Sequence, residues 1–156
     1  MEKAKFIETL WPALAPARLD GFNMRALLAQ IAMETGWLEH VNKFGSGFST
    51  FNLFNITAGQ HWQGTVCQVP THEFINGKKV AMTRPFRAYP SYEESVKDYL
   101  RLIRGSQRYL LAYTHRGDME RYPGELQTAG YATDPSYAMK IIQTARALPT
   151  LPGEEA

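Results

Sequence analysis

The chain lacks most of what would mark a disulfide-stapled, membrane-spanning or nucleic-acid-binding protein. Its one cysteine, Cys67, excludes an intrachain disulfide, so packing must hold the fold. Cys67 lies in an alternating, strand-like run and reads as a small buried hydrophobe, not as a thiolate stabilised at a helix start. No apolar run approaches a membrane span, and Met1-Glu2-Lys3-Ala4-Lys5-Phe6 opens with mixed charge and no apolar signal-peptide core. Neither charge sign dominates: 17 basic against 15 acidic side chains give +2, interleaved, which argues against the strong basic face of a dedicated nucleic-acid binder. The histidines, His40, His61, His72 and His115, are scattered, and His72-Glu73 lacks the second His of a His-Glu-x-x-His metal motif. Neither a metal nor a cofactor is implied. No repeat or low-complexity segment is visible.

What is present suits one domain. The 156 residues are 44% apolar and 12% aromatic, enough for a sizeable core over residues 1–150, with a frayed tail at 151–156. The organising stretch is 23–37. Leu27, Leu28 and Ile31, with Met24 one turn earlier, mark a helix, Asn23 suits its N-cap, and Gly36 suits the left-handed residue that ends it. At about 100° per residue, Glu34 falls between Leu27 and Ile31, so the helix's one carboxylate points along its apolar stripe. Desolvation and the negative helix end both favour its protonated form, as a general acid at neutral pH requires. The alternative is a Glu at the rim of the core, neutralised by an Arg or bonded to a backbone amide.

Along the rest of the chain, Phe6, Ile7, Leu10, Trp11 and Leu14 predict a short helix over 4–14, broken at Pro16. The Gly- and Ser-rich loop from Glu39 to Thr50 has no periodicity and is expected to line a cleft. Strand-like runs at 65–69 and 71–75, the Asn76-Gly77 turn and a return strand over 78–82 predict a small β region within 62–89, with Pro70 and Pro85 at edges or ends. Ser91-Tyr92-Glu93-Glu94 is a capping box opening a helix to about Arg104. A shorter helix is predicted over 120–128. The last follows Asp134-Pro135, with Ala138, Ile141, Ile142, Ala145 and Leu148 inward. Helices flanking one β excursion give an α+β domain.

Four sequence words occur in one order: Ala32-Met33-Glu34-Thr35-Gly36-Trp37, Asn52-Leu53-Phe54-Asn55-Ile56, Phe86-Arg87-Ala88-Tyr89 with Ser91-Tyr92-Glu93-Glu94-Ser95, and Ala129-Gly130-Tyr131-Ala132-Thr133-Asp134-Pro135-Ser136-Tyr137-Ala138. Together they resemble the bacterial and phage peptidoglycan N-acetylglucosaminidases, glycoside hydrolase family 73, from about Phe6 to Leu148. The resemblance implies a lysozyme-like layout, a helical α lobe and a β lobe with glycan in the cleft between them. It also implies cleavage of the β-1,4 bond between N-acetylglucosamine (GlcNAc) and N-acetylmuramic acid (MurNAc) in cell-wall peptidoglycan.

Within that frame Glu34 matches the catalytic acid of the Glu-Ser/Thr-Gly-Trp motif. Glu73 stands where the family has a Glu on its mobile β lobe, either as base for water or steering a reaction in which the substrate's own N-acetyl group attacks; an ordinary exposed strand Glu is the alternative. Tyr131 matches a Tyr beside the cleft that polarises water or the N-acetyl group, against a core Tyr with a satisfied hydroxyl. Trp37, Phe54, Trp62 and Tyr89 are candidate sugar platforms, though aromatics serve more often as core. Asn52 either bonds an N-acetyl group or braces its loop. The chain departs from the family wording Asn-Leu-Phe-Gly-Ile/Val-Lys at Asn55 and Thr57; Asn tolerates positive φ, so the turn can survive.

A lytic transglycosylase or muramidase of the same superfamily is the enzymatic alternative, and a wall-binding module without chemistry the non-enzymatic one. Without a signal peptide the protein is expected to be made in the cytoplasm and to act in the periplasm or wall after delivery. A phage lysis enzyme, a type VI secretion effector with a cognate immunity protein plugging the cleft, and an excised module of a larger protein are the routes considered. The start at Met1 favours the first two.

Overall fold

The buried helix predicted around residue 30 is the element on which the others pack. Among the described residues, 1–155 without the side chains of Glu73 and Phe74, the computed structural model contains seven α-helices and one two-stranded antiparallel ribbon. They run α1 (Lys3–Leu10), α2 (Ala15–Leu19), α3 (Met24–Thr35), β1 (Val66–Ile75), β2 (Lys78–Arg87), α4 (Tyr92–Gly105), α5 (Leu110–Thr114), α6 (Arg121–Thr128) and α7 (Tyr137–Ala147). Short 3-10 turns at Pro12–Leu14 and Gln107–Tyr109 complete the helical lobe. None of these helices is long and apolar enough to cross a membrane.

In α3 every residue from Ala26 to Ala32 is buried, the polar Gln30 included, so the helix lies inside the core. Asn23 Oδ1 accepts from the Ala26 amide at 3.0 Å and Gly36 ends the helix at φ +55°. A Cβ at Gly36 would come within 2.5 Å of the His40 ring, so close approach as well as left-handed backbone demands Gly. Trp37 and Leu38 continue in the left-handed region, at φ 56° and 70°. This reversal carries the Trp37 ring back onto α1, 5.0 Å from the Phe6 ring and beneath Lys3.

The first helix ends at Leu10, earlier than predicted, and Pro16 opens α2 instead of breaking a helix. Proline fits a first helical turn, where its missing N–H has no partner to lose. The ribbon, by contrast, is longer than predicted and runs straight through Pro70 and Pro85, which pair with Thr83 and Gln68. Each strand of a two-stranded ribbon has an open edge, where a proline breaks no ladder bond. Asn76 and Gly77, at φ 52° and 77°, make the turn. The ribbon's base joins the helical lobe through Arg87, whose amide donates to Ile56 O at 3.0 Å and whose Nη1 meets Asp98 Oδ2 of α4 at 2.9 Å. Beyond the base, Ile75, Val80 and Met82 stand exposed. Cys67 is buried at the base, as a small hydrophobe would be.

Ser91 Oγ accepts from the Glu94 amide at 3.2 Å, while the Glu94 carboxylate turns towards Lys97 instead of closing the box. Asp134 forms the turn before α7, its Oδ1 accepting from Ser136 N at 2.9 Å; Tyr137, Ile141 and Ala145 face the core and Ile142 is half-buried. The tail is docked, not frayed. Arg25 binds the Glu154 carboxylate through two nitrogens at 2.7 Å and also caps the end of α7 at Ala145 O and Leu148 O, while Leu151 is buried.

Candidate active site

Glu34 lies in the last turn of α3, its side chain turned inward as the helical period requires. Both carboxylate oxygens accept hydrogen bonds from neutral donors: Oε1 from the Tyr137 hydroxyl at 2.9 Å and Oε2 from Asn55 Nδ2 at 2.8 Å. Behind Tyr137, Gln30 Nε2 donates to its hydroxyl at 3.1 Å, and Gln30 Oε1 accepts from Tyr99 at 2.8 Å. Tyr99 is in turn in short hydrogen-bond contact with Tyr122. Burial pushes the Glu34 carboxyl above the ordinary carboxylate range, and the bonds from Asn55 and Tyr137 only partly oppose this. Burial likewise raises Tyr99, Tyr122, Tyr131 and Tyr137, so these phenols stay neutral and act as donors, not as acids.

Glu34 opens onto a cleft of about 520 Å³ between the helical lobe and the ribbon, lined also by His40, Asn42, Asn55, Arg84 of β2 and Tyr131. A second hollow of about 450 Å³ shares Asn55, Thr57 and Tyr131 and continues to Gln107 and Arg108. Together they form a groove suited to a chain more than to a compact ligand. Tyr131 is fixed at the junction: its hydroxyl donates to Phe54 O at 2.7 Å, and Arg108 holds the preceding backbone through Ala129 O and Gly130 O at 2.6 and 2.7 Å. Among the described residues no group of three His, Cys, Asp or Glu is placed to hold a metal ion.

Of the residues singled out from sequence, the structure brings Glu34, Phe54 and Tyr131 together at the cleft. The Phe54 ring is fully buried, stacked 3.8 Å from Tyr99, so its contribution is its carbonyl and not a sugar platform. Asn52 is buried and braces its loop, donating to Ile56 O and Arg87 O at 2.9 Å and accepting from Ile56 N at 3.1 Å. Tyr89 is core, its hydroxyl donating to Asp98 at 2.6 Å. Trp62 sits beside the ribbon's base, its ring under Arg87 and its indole N–H on Thr65 O, while Trp37 belongs to the α1 contact. None of these four lines either hollow. Glu73 pairs with Val80 in the ribbon register, and its side chain lies outside the described residues. Sequence reasoning missed both partners of Glu34, Asn55 and Tyr137, and Gln30, which holds Tyr137 from behind. Gln30 carried a usable signal, being a polar residue in the apolar stripe one turn before Glu34.

A half-buried, partly desolvated carboxyl at the end of a central helix, facing a groove between a helical lobe and a β ribbon, defines a glycoside hydrolase domain of lysozyme-like architecture. The chain belongs to the Glucosaminidase family, described as mannosyl-glycoprotein endo-beta-N-acetylglucosaminidase, whose model matches residues 13–149. It is similar to the peptidoglycan hydrolase FlgJ of Pseudomonas aeruginosa, 42% identical over 147 residues covering 94% of this chain and 37% of that protein. The FlgJ of Vibrio parahaemolyticus is 39% identical over 94% of this chain and 47% of that protein. Among solved structures, a peptidoglycan hydrolase mutant from Sphingomonas sp. A1 matches with a TM-score of 0.82 at 38% identity, covering 94% of both chains. The C-terminally truncated glycoside hydrolase domain of Salmonella typhimurium FlgJ matches at 0.77 and 34%, covering 94% of this chain and 97% of that one. The chain thus spans less than half the length of these curated relatives.

Proposed function

We propose that this chain hydrolyses the β-1,4 bond between GlcNAc and MurNAc of peptidoglycan, with Glu34 as general acid. The observation that carries this reading is the Glu34 carboxyl itself: half-buried, held on both oxygens by neutral donors, raised by desolvation and open to a groove. Glu34 gives its proton to O4 of MurNAc as the bond to C1 of GlcNAc breaks. In an inverting reaction water then adds to C1 and loses its proton to Glu73 as base; in a substrate-assisted one the N-acetyl oxygen, steered by Glu73, attacks C1 to form an oxazoline, which water opens as it returns a proton to Glu34. Tyr131, whose one O–H is held by Phe54 O, keeps its oxygen lone pairs to polarise the water or the N-acetyl N–H as an acceptor. Asn52 and Tyr89 support the site from behind by fixing the loop and the ribbon's base.

A second reading has a specific observation in its favour. Among the described residues lining the cleft, Glu34 is the one carboxylate, which also suits a lytic transglycosylase, where the MurNAc 6-hydroxyl attacks its own C1. Digestion of purified peptidoglycan, reduction and mass spectrometry separate the two. Reducible GlcNAc ends are the expected result; anhydro-MurNAc ends would mean the transglycosylase, reducible MurNAc ends a muramidase, and no cleavage by folded protein a wall-binding module. For delivery to the wall we carry the reading of an injected antibacterial effector, guarded by an immunity protein seated in the cleft, or a phage lysis enzyme. Inhibition by the product of an adjacent reading frame tests it.

A further inference from the structure

We propose that Asn55 is a positioning residue for Glu34, whose single side-chain amide both caps α3 and clamps the catalytic carboxyl, and that it sets the upper pH limit of activity. This rests on the reading of Glu34 as general acid. Nδ2 carries two hydrogens and places both on one residue: it lies 2.8 Å from the Glu34 backbone oxygen and 2.8 Å from Oε2. The first contact satisfies one of the last-turn carbonyls that an α-helix leaves without an amide partner. The second fixes the carboxyl's plane and direction from the cleft side, opposite the Tyr137 contact on Oε1. Asn55 reaches this place at φ +52°, a left-handed backbone in which asparagine is one of the few side-chain-bearing residues at ease. Asn55 also lines both hollows.

A donor to a carboxylate stabilises the charged form, so Asn55 opposes the rise caused by burial. The acid works only while protonated, and activity falls as pH rises through its pKa. Without the Asn55 amide that fall must come at higher pH. The other groups facing Glu34 are Tyr137 of α7, Tyr131 of the loop before it and Tyr99 of α4, with His40 of the loop after α3 and Arg84 of β2 lining the same cleft. Replacing Asn55 by Gly changes none of their charges and suits the backbone at this position.

The test is a 13C NMR titration of the Glu34 carboxyl in the wild type and in Asn55→Gly, with Glu34→Gln assigning the signal, alongside pH profiles of kcat/KM on peptidoglycan. The expected result is an upward shift of about half a unit to one unit in both the titration and the alkaline limb. In Asn55→Asp, which tolerates the same backbone, two carboxyls share one site and the higher apparent pKa rises further. An unshifted or lowered titration in folded Asn55→Gly overturns the proposal, even if kcat falls. A shifted titration in a protein that cleaves nothing would instead leave the clamp standing and remove the hydrolase reading.

Discussion

Glu34→Gln is expected to lower turnover about 10²- to 10⁴-fold, the range for a positioned general acid, while the protein still binds glycan. The amide is nearly isosteric with the carboxyl but carries no proton that can be given to the leaving oxygen. Its neighbours can absorb the change. Asn55 Nδ2 keeps an acceptor in the amide oxygen, and the Tyr137 hydroxyl, now held as a donor on Oε1, can turn and accept from the amide N–H. Folding should therefore survive, and the loss should fall on kcat because the missing proton matters only in the transition state. Steady-state hydrolysis set beside a pull-down on insoluble peptidoglycan separates the two effects. Unchanged turnover, or an equal loss of binding, would remove Glu34 from its role.

Asp98→Ala is expected to destabilise the fold by about 3 kcal/mol, the low end for removing one partner of a buried pair. That lowers Tm by about 6–12 °C at this chain length. Asp98 is buried in α4 and accepts on Oδ2 from both Arg87 and Tyr89, with Arg101 3.6 Å from its other oxygen. Removing it strands the Tyr89 hydroxyl in the core and leaves a guanidinium whose remaining bond goes to Thr57 O. The low end applies because Arg87 keeps that bond and is partly solvated. Asp98→Asn retains one acceptor and should lose less. Thermal melts of both variants check the ranking, and a flat response to Asp98→Ala would mean that the ribbon is held by its backbone bonds alone.

Much of the α lobe was legible because its causes are local. The Asn23 cap, the Gly36 stop and the inward turn of Glu34 all follow from spacing within one helix, and the structure reproduces them. The partners of Glu34 were not legible, because Asn55 and Tyr137 lie 21 and 103 residues away and reach it only through tertiary packing. Trp37 read as a candidate sugar platform because it is aromatic. Three successive left-handed residues, which no periodicity announces, send it to α1. Asn52 could be read as ligand or brace, and only the three loop contacts decide how its side chain is engaged. The tail looked frayed because its anchor, Arg25, stands 129 residues earlier than Glu154.

The ribbon's two outer edges have a consequence for the molecule in solution. Unpaired strand edges are templates for another chain, and a ten-residue ribbon exposing Ile75, Val80 and Met82 would recruit copies of itself. Pro70 removes a donor from the outer edge of β1, the 56–58 segment covers the outer edge of β2 beside Pro85, and Lys78 and Lys79 put positive charge at the tip of both members of any pair that tried to form. A proline that looks like a defect in a strand thus takes away a donor that a second copy of the ribbon would need.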